Sequence, residues 1–213
     1  IFERLHPRKK ETKKSKKLKG TKMGAITSFE LSVLHFIENN LQNPVLNIFF
    51  GIFSMISEYG AIWILLAIFL LFSKKYRKGG FVLALALIFC FIFTNLFLKN
   101  IIARPRPFSL EEFNIVIPKP SDFSFPSGHT ATSFCGALIL AKTNSKWAVP
   151  AYAVAVFTAI SRIYFTVHFP TDILGGIISG TLASIFALFV CKKIKKKSNF
   201  FNNSFFSGGR GKC

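Results

Sequence analysis

The residues best equipped for chemistry lie between Ser161 and Asp172, where Arg162, His168 and Asp172 sit inside strongly apolar sequence. Ionisable groups are costly in such surroundings and mark functional sites there. Pro170 suits the first turn of a helix, because its missing N–H has no intrahelical partner at that position. The pattern therefore predicts a helix ending near Tyr164, a short turn carrying His168, and a second helix opening around Thr171-Asp172. Across that turn the Asp172 carboxylate can reach one imidazole nitrogen of His168 and leave the other free to attack. Arg162 adds a fixed positive fork. Taken alone, the same residues would also suit a surface histidine beside a structural ion pair.

Two more polar clusters interrupt the apolar pattern. Lys99 is followed by Arg104-Pro105-Arg106-Pro107, and Phe125-Pro126-Ser127-Gly128-His129 runs directly into the apolar segment from Gly128 to Ala141. Backbone N–H groups at a helix start, a glycine permitting close approach and the Ser127 hydroxyl make an anion site there. Lys99, Arg106 and Arg162 add cations suited to a phosphoryl group, whose transfer depends on holding and stabilising charged oxygens. Two histidines can then divide the work, one attacking phosphorus and the other protonating the leaving oxygen.

These residues have to be positioned by membrane helices. The 213 residues amount to one domain, half of them hydrophobic, with 27 Phe and only 17% charged. That is too apolar for an ordinary soluble domain. A net charge of +19 would suggest nucleic acid if it were spread over a folded surface, but it is gathered in blocks between apolar runs. No nucleic-acid partner is therefore expected. The apolar runs give six candidate spans, at Val45–Ser57, Ala61–Phe72, Phe81–Leu98, Gly128–Ala141, Trp147–Ile160 and Ile173–Val190. The spacing of Ile26, Phe29, Val33, Phe36, Ile37 and Leu41, opposite Glu30, Glu38 and Asn39, predicts a helix at the membrane interface or packed on the bundle. The expected fold is thus an all-α polytopic bundle, with a basic tail at 1–25, a membrane domain at 26–192 and a second basic tail at 193–213. Met23 is the first methionine and a candidate start for the native chain.

Blocks 1–22, 74–78, 142–146 and 192–212 carry 10, 4, 2 and 7 Lys or Arg, together 23 of the 28. Six crossings would put all four blocks, and both termini, on the cytoplasmic side of the cell membrane. Lys99, Arg104, Arg106, Lys119 and Arg162 would then share the opposite face with both reactive histidines. Cys90, Cys135, Cys191 and Cys213 show neither metal-ligand spacing nor a disulfide framework.

Lys99 with Arg106-Pro107, then Pro126-Ser127-Gly128-His129, then Ser161-Arg162 with His168 and Asp172 resemble the three-part signature of the type 2 phosphatidic acid phosphatase family, related to the vanadium haloperoxidases. The match spans residues 99–172, and the six-span plan extends it to about 26–192. The resemblance implies a lipid phosphatase in which Lys99, Arg106, Ser127, Gly128 and Arg162 bind phosphate. It makes His168 the nucleophile forming a phosphohistidine, Asp172 its orienting partner and His129 the acid for the leaving group. No metal, no cofactor and no obligate protein partner are implied. Arg104 lies outside the signature. The chain looks most like small bacterial members acting on undecaprenyl (isoprenoid) diphosphate, with phosphatidylglycerophosphate or phosphatidate as alternative lipid substrates. An anion-binding transporter is the non-enzyme alternative, although no inverted repeat supports it.

Overall fold

The computed structural model describes residues 24–197, and among these every regular element is helical. Helix α1 is Ala25–Asn40 and α2 is Pro44–Ile56. The start of α2 is fixed locally, since the Asn43 side chain accepts from the Leu46 N–H and Pro44 occupies the first turn. A single 3-10 turn, Glu58–Gly60, joins α2 to α3, Ala61–Phe72. Tyr59 and Gly60 adopt left-handed φ values of 50° and 74°, and the two helices meet at 41°.

Helix α4, Arg77–Cys90, runs without a break into a π-helical stretch, Phe91–Leu98, and then into α5, Lys99–Ile102. The wider π-helical turns rotate α5 relative to α4, and such stretches concentrate at functional sites. After the short α6, Pro107–Leu110, a loop leads to α7, Gly128–Thr143. Helices α8, Ala148–Tyr164, and α9, Pro170–Lys197, complete the bundle. Helix α7 runs through its middle. Gly136 lies where a Cβ would strike the Trp63 ring at 2.2 Å, and Gly180 of α9 where one would meet the Ala131 carbonyl at 2.1 Å. Small residues at these crossings let backbones approach closely, as membrane helices require when apolar lipid removes the hydrophobic drive to associate. The outward sides carry exposed Leu65, Phe69, Phe72, Ile178, Leu182 and Phe186, a lipid-facing belt.

The structure revises the span count. Arg77–Leu110, Ser145–Tyr164 and Pro170–Ile194 are long and apolar enough to cross a membrane, and α2 with α3 passes the same test as one bent pair. Helix α7 has 16 residues, about 24 Å at the usual rise. Val45–Ser57 and Ala61–Phe72, expected as two spans, are the two halves of that pair. Its first end docks on the end of α8, where the Gln42 amide donates to the Tyr164 carbonyl at 2.7 Å. Its last end lies at the opposite pole, where Tyr76 meets Trp147 with ring centroids 4.7 Å apart. Glu30 of α1 bonds Thr171 at the start of α9, which places α1 at the pole where α8 ends and α9 begins, so the two described ends of the chain lie at opposite poles.

Helix α1 also differs in facing. Glu30, expected on its solvent face, is buried together with Leu31 and Leu34, whereas Ile26, Phe29 and Phe36 are exposed. The reason is a set of polar partners beneath Glu30. Helix α9 runs on to Lys197, beyond the boundary expected at 192. The tails expected at 1–25 and 193–213 fall mostly outside the described residues.

Candidate active site

Three turns bring the polar residues together, and each contains a non-glycine residue with positive φ: Tyr59, Ala103 at 47° and Thr166 at 53°. Such backbone is tolerated where the surrounding structure holds it, and it clusters at functional sites. The Thr166 turn separates α8, which ends at Tyr164, from α9, which opens at Pro170, as the sequence predicts. His168 is buried within it. Its Nδ1 lies 3.4 Å from Asp172 Oδ2, and its Nε2 lies 3.2 Å from Arg106 Nη1. Arg106 can only donate, which leaves a lone pair on Nε2 and the proton on Nδ1 facing the carboxylate. Burial, only partly opposed by Asp172, lowers the His168 pKa to about 3, so the imidazole is neutral.

Asp172 is completely buried and held from several sides. At the third position of α9 its Oδ2 reaches back to accept from the Phe169 N–H at 2.8 Å, the reciprocal half of a capping box, and also from the Ser124 hydroxyl. Its Oδ1 accepts from Arg104 at 2.8 Å. The Asp172 carbonyl accepts from the Ser127 N–H at 3.0 Å, which ties the start of α7 to the start of α9.

The cations expected to bind phosphate do converge. Lys99, Arg106 and Arg162 line one cavity of about 1350 Å³ together with Gly128, His129 and His168. Lys99 and Arg106 are engaged by a residue the sequence reading missed. Asp122 receives Lys99 Nζ at 2.5 Å on Oδ2 and Arg106 on Oδ1, and its carbonyl accepts from Arg106 Nε at 2.8 Å. Burial acts to raise the Asp122 pKa, but Lys99 and Arg106 outweigh it and hold the carboxyl at about 2. Arg162 donates to the Ser54 hydroxyl at 2.5 Å, while its buried Nε has no hydrogen-bond partner among the described residues.

His129 opens α7 beside Glu58, with Nε2 3.1 Å from Glu58 Oε2. Glu58 could have been suspected, because it is an ionisable residue in the middle of apolar sequence. Ser127 does not face the cavity. Its hydroxyl is buried and caps α7, taking hydrogen bonds from the Thr130 N–H and, at 3.0 Å, the Thr130 hydroxyl. Gly128 does face it, beside Asn95 of the π-helical stretch, whose amide oxygen would be 2.7 Å from an added Cβ. Away from the charged end, the cavity continues between α3 and α4 along Ile64, Ile68 and Leu71 on one wall and Ala84, Leu87, Ile88 and Phe91 on the other. A pocket charged at one end and apolar along its length fits an amphiphile.

Residues 79–196 match the family model described as the PAP2 superfamily. The chain belongs to that superfamily. It is 32% identical over 142 residues to an undecaprenyl-diphosphatase of Sulfolobus acidocaldarius, covering 65% of this chain and 68% of that one. It is 30% identical over 135 residues to the undecaprenyl-diphosphatase BcrC of Bacillus subtilis, covering 60% and 67%. Among solved structures, Aquifex aeolicus LpxE superposes with a TM-score of 0.65 at 30% identity, over 75% of this chain and 94% of that one. A transmembrane PAP2-type phosphatidylglycerolphosphate phosphatase from Bacillus subtilis gives 0.66 at 26% identity, over 85% and 93%. This PAP2 protein is a membrane lipid phosphatase, a hydrolase of phosphate esters.

Proposed function

We propose that this PAP2 phosphatase removes the terminal phosphate of an isoprenoid diphosphate of the undecaprenyl type, without a metal, through a phosphohistidine on His168. One observation carries the reading. His168, whose Nε2 lone pair takes a hydrogen bond from Arg106, lines the same cavity as the Lys99, Arg106 and Arg162 cations, and a phosphate drawing Arg106 onto its own oxygens would bare that lone pair at the head of an apolar groove. The phosphate oxygens would take the place of Asp122 on Lys99 and Arg106 and meet the unpartnered Nε of Arg162.

In the first step the His168 Nε2 lone pair forms the N–P bond as the P–O bond to the leaving oxygen breaks. His129 gives that oxygen a proton, and Asp172 stabilises the positive charge developing on His168. Water then attacks phosphorus, its proton passes to His129, and the N–P bond breaks to release phosphate and restore His168. The three cations do the charge stabilisation for which other phosphatases use metal pairs.

The relatives named as undecaprenyl-diphosphatases favour the isoprenoid substrate. The likeness to a phosphatidylglycerolphosphate phosphatase favours a glycerolipid as the second reading. The active pole is read as extracytoplasmic, because the basic loops 74–78 and 142–146 and the basic end of α9 all lie at the other pole. The amino-terminal block at 1–22 lies outside the described residues, and α1 beside it belongs to the active pole. The deciding experiment measures phosphate release in detergent from isoprenoid diphosphates and from glycerolipid phosphates, with and without EDTA, for the wild type and His168→Ala. Turnover by His168→Ala, or EDTA-sensitive activity restored by Mg²⁺, refutes the mechanism. Anion binding with no cleavage by the wild type points instead to a transporter.

A further inference from the structure

Arg104 stands outside the signature and outside the cavity. It faces the rear of the Asp172 carboxylate, with Nη1 2.8 Å from Oδ1, on the side away from His168. It is fixed there by three further contacts. Nη1 donates to the Thr171 hydroxyl at 2.7 Å, Nη2 donates to Glu30 Oε2 at 2.5 Å, and the guanidinium carbon lies over the Phe169 ring, 3.9 Å from its centroid. Glu30 in turn uses its other oxygen to accept from the Thr171 N–H at 2.9 Å and the Thr171 hydroxyl at 2.6 Å, capping α9 from a different helix. A carboxylate on α1 that is only 2% exposed therefore has no solvent role, and all its hydrogen bonds go to the residues behind the nucleophile.

We infer that Arg104 and Glu30 form a positioning pair for the nucleophile: Glu30 holds Arg104, Arg104 holds Asp172 Oδ1, and Oδ2 is thereby aimed at His168 Nδ1. The inference rests on the reading of His168 as nucleophile and adds α1 to the catalytic unit. A guanidinium is required, since two of its nitrogens must hold Asp172, Thr171 and Glu30 at once while its carbon lies over Phe169. An ammonium is a single point of charge and satisfies neither demand. Because Arg104 touches no part of the cavity, it governs the rate of N–P bond formation and leaves substrate affinity alone.

The test uses the full chain in detergent with farnesyl diphosphate and dioleoyl phosphatidate as probes. It follows steady-state turnover and acid-labile phosphoenzyme formation in a single turnover. Misplacing a reacting group by about 1 Å costs on the order of 100-fold, so Arg104→Ala lowers kcat and the phosphorylation rate by about that factor with KM unchanged. Arg104→Lys recovers little, and added guanidinium restores a substantial part of the Arg104→Ala rate. Arg104→Ala also strands the buried Glu30 carboxylate, so the double variant with Glu30→Gln, which removes both charges, separates rate from folding. Its kcat matches that of Arg104→Ala, because the two residues act as one unit. A rise in KM with kcat intact, full activity in Arg104→Lys, rate losses that multiply in the double variant, or no guanidinium rescue overturns the inference. Failure of the wild type to form any phosphoenzyme on nitrogen instead removes the underlying mechanism, whereas phosphorylation of Arg104→Ala at the wild-type rate removes this inference alone.

Discussion

Asp122→Asn should tighten the binding of inorganic anions to the active site. In the structure the Asp122 carboxylate joins Lys99 at 2.5 Å and also Arg106, the cations a phosphate would need. A substrate or inhibitor must therefore displace an internal carboxylate before it gains those contacts. The Asp122 side chain is 52% exposed, so water screens each pair. A contact worth about 1 kcal/mol is appropriate, the upper end for exposed ion pairs. Two such contacts give about 2 kcal/mol, equivalent to roughly a 30-fold fall in the inhibition constant for vanadate. Asparagine keeps the size and the backbone carbonyl that accepts from Arg106, so the loop is retained. The same change leaves two buried cations uncompensated, and the variant should melt lower in anion-free buffer and recover when phosphate is added. Competitive vanadate inhibition and thermal unfolding with and without phosphate measure both effects. Unchanged or weaker vanadate inhibition in Asp122→Asn would show that Lys99 and Arg106 are not the anion seat.

Asp172→Asn should lose about 10²–10⁴-fold in kcat, as expected when the partner of a catalytic imidazole can no longer fix its tautomer; single-turnover phosphorylation reads it directly. With the His168 pKa near 3 in the folded protein against 6.5 ordinarily, the unfolded state binds more protons across that window. Stability should therefore fall as pH drops from 6.5 toward 3, visible in melting curves, and His168→Gln should flatten that dependence. Cysteines introduced by Ser28→Cys and Ser121→Cys, with the native cysteines replaced, should react with an impermeant thiol reagent in intact cells. Those from Ser73→Cys and Asn144→Cys should react only after the membrane is opened. Labelling of Ser28→Cys on the Ser73 side would restore the six-crossing topology.

The chemistry was legible in the sequence wherever it depends on residues close along the chain. His168 and Asp172 are four apart, and Pro170 between them suits a helix start, so the proposed nucleophile and its carboxylate were expected to share one turn, as they do. The same local logic placed Gly128 and His129 at a helix start, and the blocks of basic loops grouped Lys99, Arg106 and Arg162 at one pole. Ser127 showed the limit of this reasoning, because a hydroxyl before a helix can serve a ligand or its own backbone, and here it caps α7. The tertiary structure decided what depends on distant segments. Glu30 lies 141 residues before Thr171 and reaches it across the packed bundle, so its helical face looked solvent-bound until its partners were in place. Asp122 reads as an ordinary loop acid until Lys99 and Arg106 are folded beside it. Two apolar runs of 13 and 12 residues read as two short spans, because hydropathy records length and not direction. The left-handed turn at Tyr59-Gly60, packed against Thr132, joins them at 41° into one bent pair, and the partners of Glu30 hold α1 at the pole of the candidate site.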